Sequence, residues 1–147
     1  METGKLEIEL PGYIYTSTMK AEAREPGEPP TRIFDIHDLV EVYVEWSLPL
    51  PLARMICGTF ECDLFLESQG KGEEFELEGP VQKLDASKTT YSAVIKIPPD
   101  RIVPAVGETD IPYKLTATVI YKDQLGRPGP IAGFVELPLV EFYKDAP

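Results

Sequence analysis

The chain has 147 residues, 25 of them acidic and 14 basic, for a formal net charge of −11. A chain of this length fits one domain and buries roughly 70% of its unfolded surface, enough for a core without disulfide or metal staples. The 43% apolar fraction excludes a disordered acidic tail, and the acid excess excludes a general nucleic-acid binder, which needs Lys and Arg to neutralise phosphates.

No apolar run reaches the roughly 20 residues of a membrane-spanning helix. The start, Met1 to Glu9, is acidic and alternating, without the basic and apolar regions of a secretory signal, so the expected location is the cytoplasm. There is no Asn and there are 15 Pro, a composition that fits a heat-adapted source.

Leu6, Ile8 and Leu10 alternate with Glu7 and Glu9, the period of a half-buried strand. Pro11-Gly12 interrupts the pattern, which resumes from Tyr13 to Thr18. An L-Pro-Gly pair suits a type II turn better than the primed turns of two-residue hairpins, so a kinked strand is expected rather than a hairpin. Residues 20–32, polar and Pro-rich, read as an extended, mobile linker. The division is therefore an N-terminal arm or extra strand over 1–32 and a β domain over 33–147.

Next comes the strongest alternation: Val40, Val42, Val44 and Trp46 on one face, Glu41, Tyr43 and Glu45 on the other. Two prolines stop Leu48 to Met55 from continuing a central strand. Phe60, Cys62, Leu64 and Leu66 share the next inward face, with Phe65 outward. Residues 68–72 form a turn and Glu73 to Leu77 a short edge strand. Tyr91, Ala93, Ile95 and Ile97 form another inward set, ended by Pro98-Pro99. After a long connection, Tyr113, Leu115, Ala117, Val119 and Tyr121 alternate with Lys114 to Lys122. Asp123 to Pro130 reads as a hairpin loop, and a last strand runs from Ile131 to Tyr143, interrupted at Pro138.

Chemistry-bearing constellations are sparse. His37 is the only histidine, beside Asp35 and Asp38, and fits a turn leading into a strand. There is no Gly-x-Ser-x-Gly elbow, and one His with two Cys cannot supply four Cys and His zinc ligands. Cys57 and Cys62 are five apart, which on a strand puts them on opposite faces, too far apart to bridge. Gly70-Lys71-Gly72 lacks P-loop spacing. Asp35/Asp38 and Glu108/Asp110 are loop carboxylate pairs of the kind calcium accepts, without an EF-hand pattern. No catalytic residue, metal set or cofactor is expected, and the chain does not read as an enzyme.

These elements resemble a known architecture. Val40 to Trp46 followed by a Pro-rich loop, Gly58-Thr59-Phe60, and Tyr113 to Val119 followed by Asp123 to Gly129 resemble the second, third and penultimate strands of fibronectin type III and immunoglobulin-like domains. The resemblance covers residues 33–143 and implies an all-β, two-sheet antiparallel β-sandwich of seven to nine strands. Such folds host adhesion, scaffolding and carbohydrate binding alike, so the fold does not choose a function.

In that topology the loop after the second strand and the last hairpin loop share one end. The resemblance therefore brings together Leu50, Leu52 and Leu125 with Arg54 and Arg127, apolar anchors beside arginine as in interface cores. The competing reading is that the leucines plug the end of the sandwich. Tyr43 and Phe65, outward by parity, can stack sugars, be covered by another subunit, or be covered by a loop or the N-terminal segment. The expected function is a non-catalytic structural or accessory subunit that assembles with other proteins, or with copies of itself, through its loop tips and N-terminal arm. The alternative is a carbohydrate-binding module. Residues 35–78 carry a net charge of −9 and residues 80–130 a net of +2. The same topology would set Glu41 and Glu45 near Lys96, and Glu61 and Asp63 near Lys114 and Lys122.

Overall fold

The computed structural model describes residues 1–10 and 12–145; Pro11 and the last two residues lie outside the described residues, and of Tyr13 and Ile14 only the backbone is described. Eleven strands are present among the described residues, against the seven to nine expected. They are β1 (Glu2–Leu10), β2 (Tyr13–Arg24), β3 (Ile33–Asp35), β4 (Val40–Ser47), β5 (Thr59–Ser68), β6 (Phe75–Glu78), β7 (Gln82–Lys83), β8 (Thr90–Ile97), β9 (Asp110–Lys122), β10 (Pro128–Glu136) and β11 (Val140–Tyr143). One short helix, α1 (Leu50–Ala53), interrupts the loop after β4.

The ladder runs β8–β4–β2–β1–β10–β9–β5, with β6 and β7 on the far edge of β5. The long strand β9 carries β10 along Thr116–Lys122 and β11 along Asp110–Tyr113, with β5 on its other edge. The last strand breaks in two at Pro138, as its sequence suggested. One pair, β3 with β11, is parallel, so the sheet is mixed rather than wholly antiparallel.

Strand alternation determines what is buried. Val42 and Val44 on β4 and all four inward residues of β5 are fully buried, as are Leu115, Ala117 and Val119 on β9. The sheet folds over so that its inner faces oppose each other. Trp46 from β4 meets Phe60 from β5 edge-on at 5.5 Å between centroids, and Tyr91 from β8 contacts both rings. Such pairs add about 0.5–1.5 kcal/mol each beyond the area they bury.

Two expectations for the arm are corrected. Residues 10 and 13 are paired across the turn, so β1 and β2 form a tight hairpin rather than one kinked strand. Gly12, at φ +74°, takes the left-handed conformation that the reversal needs and that glycine reaches without a Cβ clash. Residues 20–24 belong to β2, paired with β4, and are not linker; the linker shortens to residues 25–32. The reason is burial: Ala21 and Ala23 alternate inward with Met19, and small residues fill that part of the core. Leu6 and Ile8 are fully buried too, so the arm supplies part of the core.

Candidate functional site: one loop tip and one sheet face

The end of the molecule beyond β4 and β9 is built from α1, residues 54–57 and the β9–β10 hairpin loop. Pro49 and Pro51 preset the backbone of the α1 turn, and the Ala53 N–H donates to the Pro49 carbonyl at 3.0 Å. The Tyr121 hydroxyl donates to the Cys57 carbonyl at 2.5 Å and ties the descending loop to β9. In the hairpin, Asp123 organises the tip. Its Oδ1 accepts from the Leu125 and Arg127 N–H groups at 2.9 and 3.0 Å, and its Oδ2 accepts from Arg127 Nε at 3.1 Å. Those backbone donors, Arg127 N–H first, hold the Asp123 carboxyl below the usual carboxylate range.

The residues singled out from sequence separate here. Leu125 is 76% exposed and Leu50 48% exposed. Arg54 is exposed, and Arg127 is exposed while paired to Asp123. Leu52 is only 4% exposed. It turns into the core from α1, so it plugs the end and offers nothing to a partner. Met55, 79% exposed, is a tip residue that the sequence reading did not single out, because loops have no periodicity from which to assign a side. Met55 and Leu125 line a shallow crevice of about 350 Å³ together with Tyr121 and Arg127.

The two outward aromatics also differ. Tyr43 is half-buried: Arg24, from β2, lies over its ring at 5.4 Å, so the N-terminal arm covers it. Phe65 stays 50% exposed on β5. Phe134 on β10, 58% exposed, lies on the same outward side and was missed. Its signal was available, because Ile131 and Val135 point inward and an even spacing between them leaves position 134 outside.

The charges fall partly as expected. Glu41 is directly opposite Lys96, and Lys122 bonds Glu61 at 2.9 Å. Glu45 is opposite Ser92 instead, and Lys114 turns to Glu136 at 3.2 Å. Asp63 is opposite Thr118 on one side and Glu78 on the other. Burial pushes its pKa up, and the neighbouring Glu61 and Glu78 add to this.

His37 lies in the turn before β4, with Nδ1 2.6 Å from Asp100 Oδ1 and its N–H donating to Asp35 Oδ1. Asp100 adopts φ +62°, the one positive φ found at a non-glycine among the described residues. Cys62 is buried and its thiol is pushed up to about 12 by burial; Cys57 is exposed in the loop before β5. Among the described residues, no group of three or more His, Cys, Asp or Glu is placed to hold a metal ion. No helix among them is long and apolar enough to cross a membrane.

No protein-family model matches the chain, and no curated protein matches it. A solved structure of AggA, the major subunit of aggregative adherence fimbriae type I from Escherichia coli, is similar over 86% of this chain and 93% of its own. It is 9% identical with a TM-score of 0.38, a likeness that bears on neither fold nor function. The functional reading rests on the chain's own geometry.

Proposed function

We propose that the chain is a non-catalytic structural or accessory subunit, an immunoglobulin-like two-layer sandwich that joins other protein subunits through the loop tip. The observation that carries this reading is the exposure of Leu50, Met55 and Leu125 at an end held rigid by Asp123 and Tyr121. A rigid apolar tip loses little entropy on docking, and the nearby Arg54 and Arg127 supply the polar rim of an interface.

The N-terminal arm is the second element of the reading. It contributes a two-stranded hairpin that reaches the rest of the chain through residues 25–32, so the hairpin of a neighbouring copy fits the same slot between β10 and β4. A carbohydrate-binding role has less support, since Arg24 covers Tyr43 and leaves Phe65 without it.

The test is the native mass and co-purifying partners of the full chain carrying Leu50→Asp and Arg127→Glu. Loss of the higher assembly is expected. Unchanged assembly with unchanged folding would remove the tip from the interface.

A further inference from the structure

The two ends of the molecule differ in the sign of their charge. The ladders fix the ends: β1, β4 and β9 run toward the loop tip, and β2, β5, β8 and β10 run away from it. The tip end is closed by residues 48–58, 83–89 and 122–128, which hold five lysines or arginines and two acids, a net of +3. The opposite end is closed by residues 25–39, 68–74, 98–110 and 141–145, which hold eleven acids and four lysines or arginines, a net of −7. The strands between hold the other twelve acids and five bases, again a net of −7. Two of those strand acids lie nearest the tip, Glu9 and Glu61, the latter bonded to Lys122 at 2.9 Å. Counted with both, the tip is still net positive by one.

Carboxyl groups crowd each other at the acidic end. Burial first, then Asp38, raises the Glu25 pKa, and Asp110 lies against Glu141. The connection from β8 to β9, residues 98–109, crosses this end and is anchored along its length. The Asp100 N–H donates to the Ile36 carbonyl at 2.7 Å, Arg101 bonds Glu73 at 2.9 Å, and the Thr109 carbonyl accepts from the Lys144 N–H at 2.9 Å. Ile102 turns into the core here, as Leu52 does at the tip. Val103 stays 67% exposed and Val106 fully exposed, with the exposed Glu108 two residues on. Each end therefore presents held apolar side chains, among a basic excess at the tip and an acidic excess opposite.

We infer that the tip of one copy seats on the acidic end of a second copy, so that copies of the chain join head to tail. The inference rests on the reading of the tip as an interface and names what the tip meets. Two chains of −11 repel each other, and side-by-side contact brings net-negative strand faces together. Of the three regions the tip alone is positive, so it is the one that a second copy can approach with its acidic end. Leu50, Met55 and Leu125 on one side and Val103 and Val106 on the other supply apolar surface to bury at the centre of the contact. The two ends point away from each other, so a chain cannot satisfy its own tip. The contact is heterologous: every pairing leaves one free tip and one free acidic end, and further copies add.

The test is sedimentation velocity of the full chain over a range of concentrations at low salt. The wild type is expected to reach masses beyond the dimer. Leu125→Asp at the tip and Val106→Asp at the acidic end, both at exposed positions, each leave a monomer. Mixing these two variants gives a dimer that grows no further, because one intact acidic end meets one intact tip. Glu108→Lys weakens each step about fivefold, and about 0.5 M salt removes the difference. A thermal melt of each variant confirms folding. A wild type that stays monomeric, a mixture of the two variants that stays monomeric, or a Glu108→Lys chain that assembles more tightly would each overturn the inference. Loss of assembly in Leu125→Asp with none in Val106→Asp overturns it too, but leaves the tip as an interface for another protein. Assembly unchanged in Leu125→Asp and in Leu50→Asp/Arg127→Glu removes both readings.

Discussion

Replacing Leu6 by Ala tests whether the N-terminal arm is part of the core. Leu6 is fully buried, paired with Gly133 on β10 and with Ser17 on β2. Both ladder neighbours are small, so neither can swing in to fill the space left by the isobutyl group. Leu→Ala in a core costs about 2–5 kcal/mol, rising with the cavity that remains, and a site that cannot collapse belongs in the upper half of that range, about 4 kcal/mol. A domain of this size has a total stability of only about 5–15 kcal/mol, so the loss is a large share of it. The expected fall in Tm is about 2–4 °C per kcal/mol. Urea denaturation followed by tryptophan fluorescence reads the change, because Trp46 is paired with Met19 of the same arm. Glu7→Ala, on the exposed face of the same strand, is the control and should stay within about 0.5 kcal/mol. Gly4→Ala should act like Leu6→Ala by another route: its Cβ would sit 2.1 Å from the Phe134 carbonyl oxygen and force β1 away from β10. If Leu6→Ala costs no more than Glu7→Ala, the arm is not packed as described.

Three further outcomes follow from titration and thiol chemistry. The carboxyl groups of Glu141 and Asp110 lie against each other, and burial first, then Asp110, raises the Glu141 pKa. The folded chain therefore holds that proton better than the unfolded one, and stability falls as pH rises from below the ordinary value through the raised one. Glu141→Gln should remove this slope and raise Tm at neutral pH; an unchanged slope in a pH series of melts would contradict it. Asp100 raises the pKa of His37, so its contribution is complete below about pH 6.5 and lost above the folded value. An NMR titration should find the His37 midpoint above its ordinary value and returning toward it in Asp100→Asn, and no movement would dismiss the pairing. Finally, iodoacetamide should label Cys57 and spare Cys62 in the native chain, which mass spectrometry of the labelled peptides reads directly. Equal labelling of both would mean that β5 opens.

Strand parity was readable wherever a strand was long and half-buried. The inward sets on β4, β5, β8 and β9 are legible because each has a single solvent-facing side, so a one-residue slip would expose the whole set. The failures are local. The turn that Pro11-Gly12 prefers in isolation argues for a kinked strand, whereas the burial of Leu6, Ile8 and Met19 holds the two strands in one hairpin. β3 and β7 are too short to show any period and are held by ladders to distant partners, Phe34 to Phe142 and Phe60 to Gln82. Pairing between distant segments is set by the whole fold and leaves no local mark in either segment.

The candidate sites show the same limit for function. Parity put Tyr43 outside, and it is outside its own strand's core face; what covers it is Arg24, positioned by the register in which β2 joins β4. Leu52 differs from Leu50 only by two positions in a Pro-Leu repeat, and one turn of helix sends it inward. The acidic half of the chain shows why composition alone misleads. Lys122 and Lys96 do stand beside acids across the ladder, so part of the acidic half is matched within the sheet and the −11 is what remains. Mismatches remain at the β5–β6 edge, where Asp63 faces Glu78, and where Glu141 meets Asp110. A sequence can supply the excess of acids, but only the register shows which of them meet a base and which meet another acid.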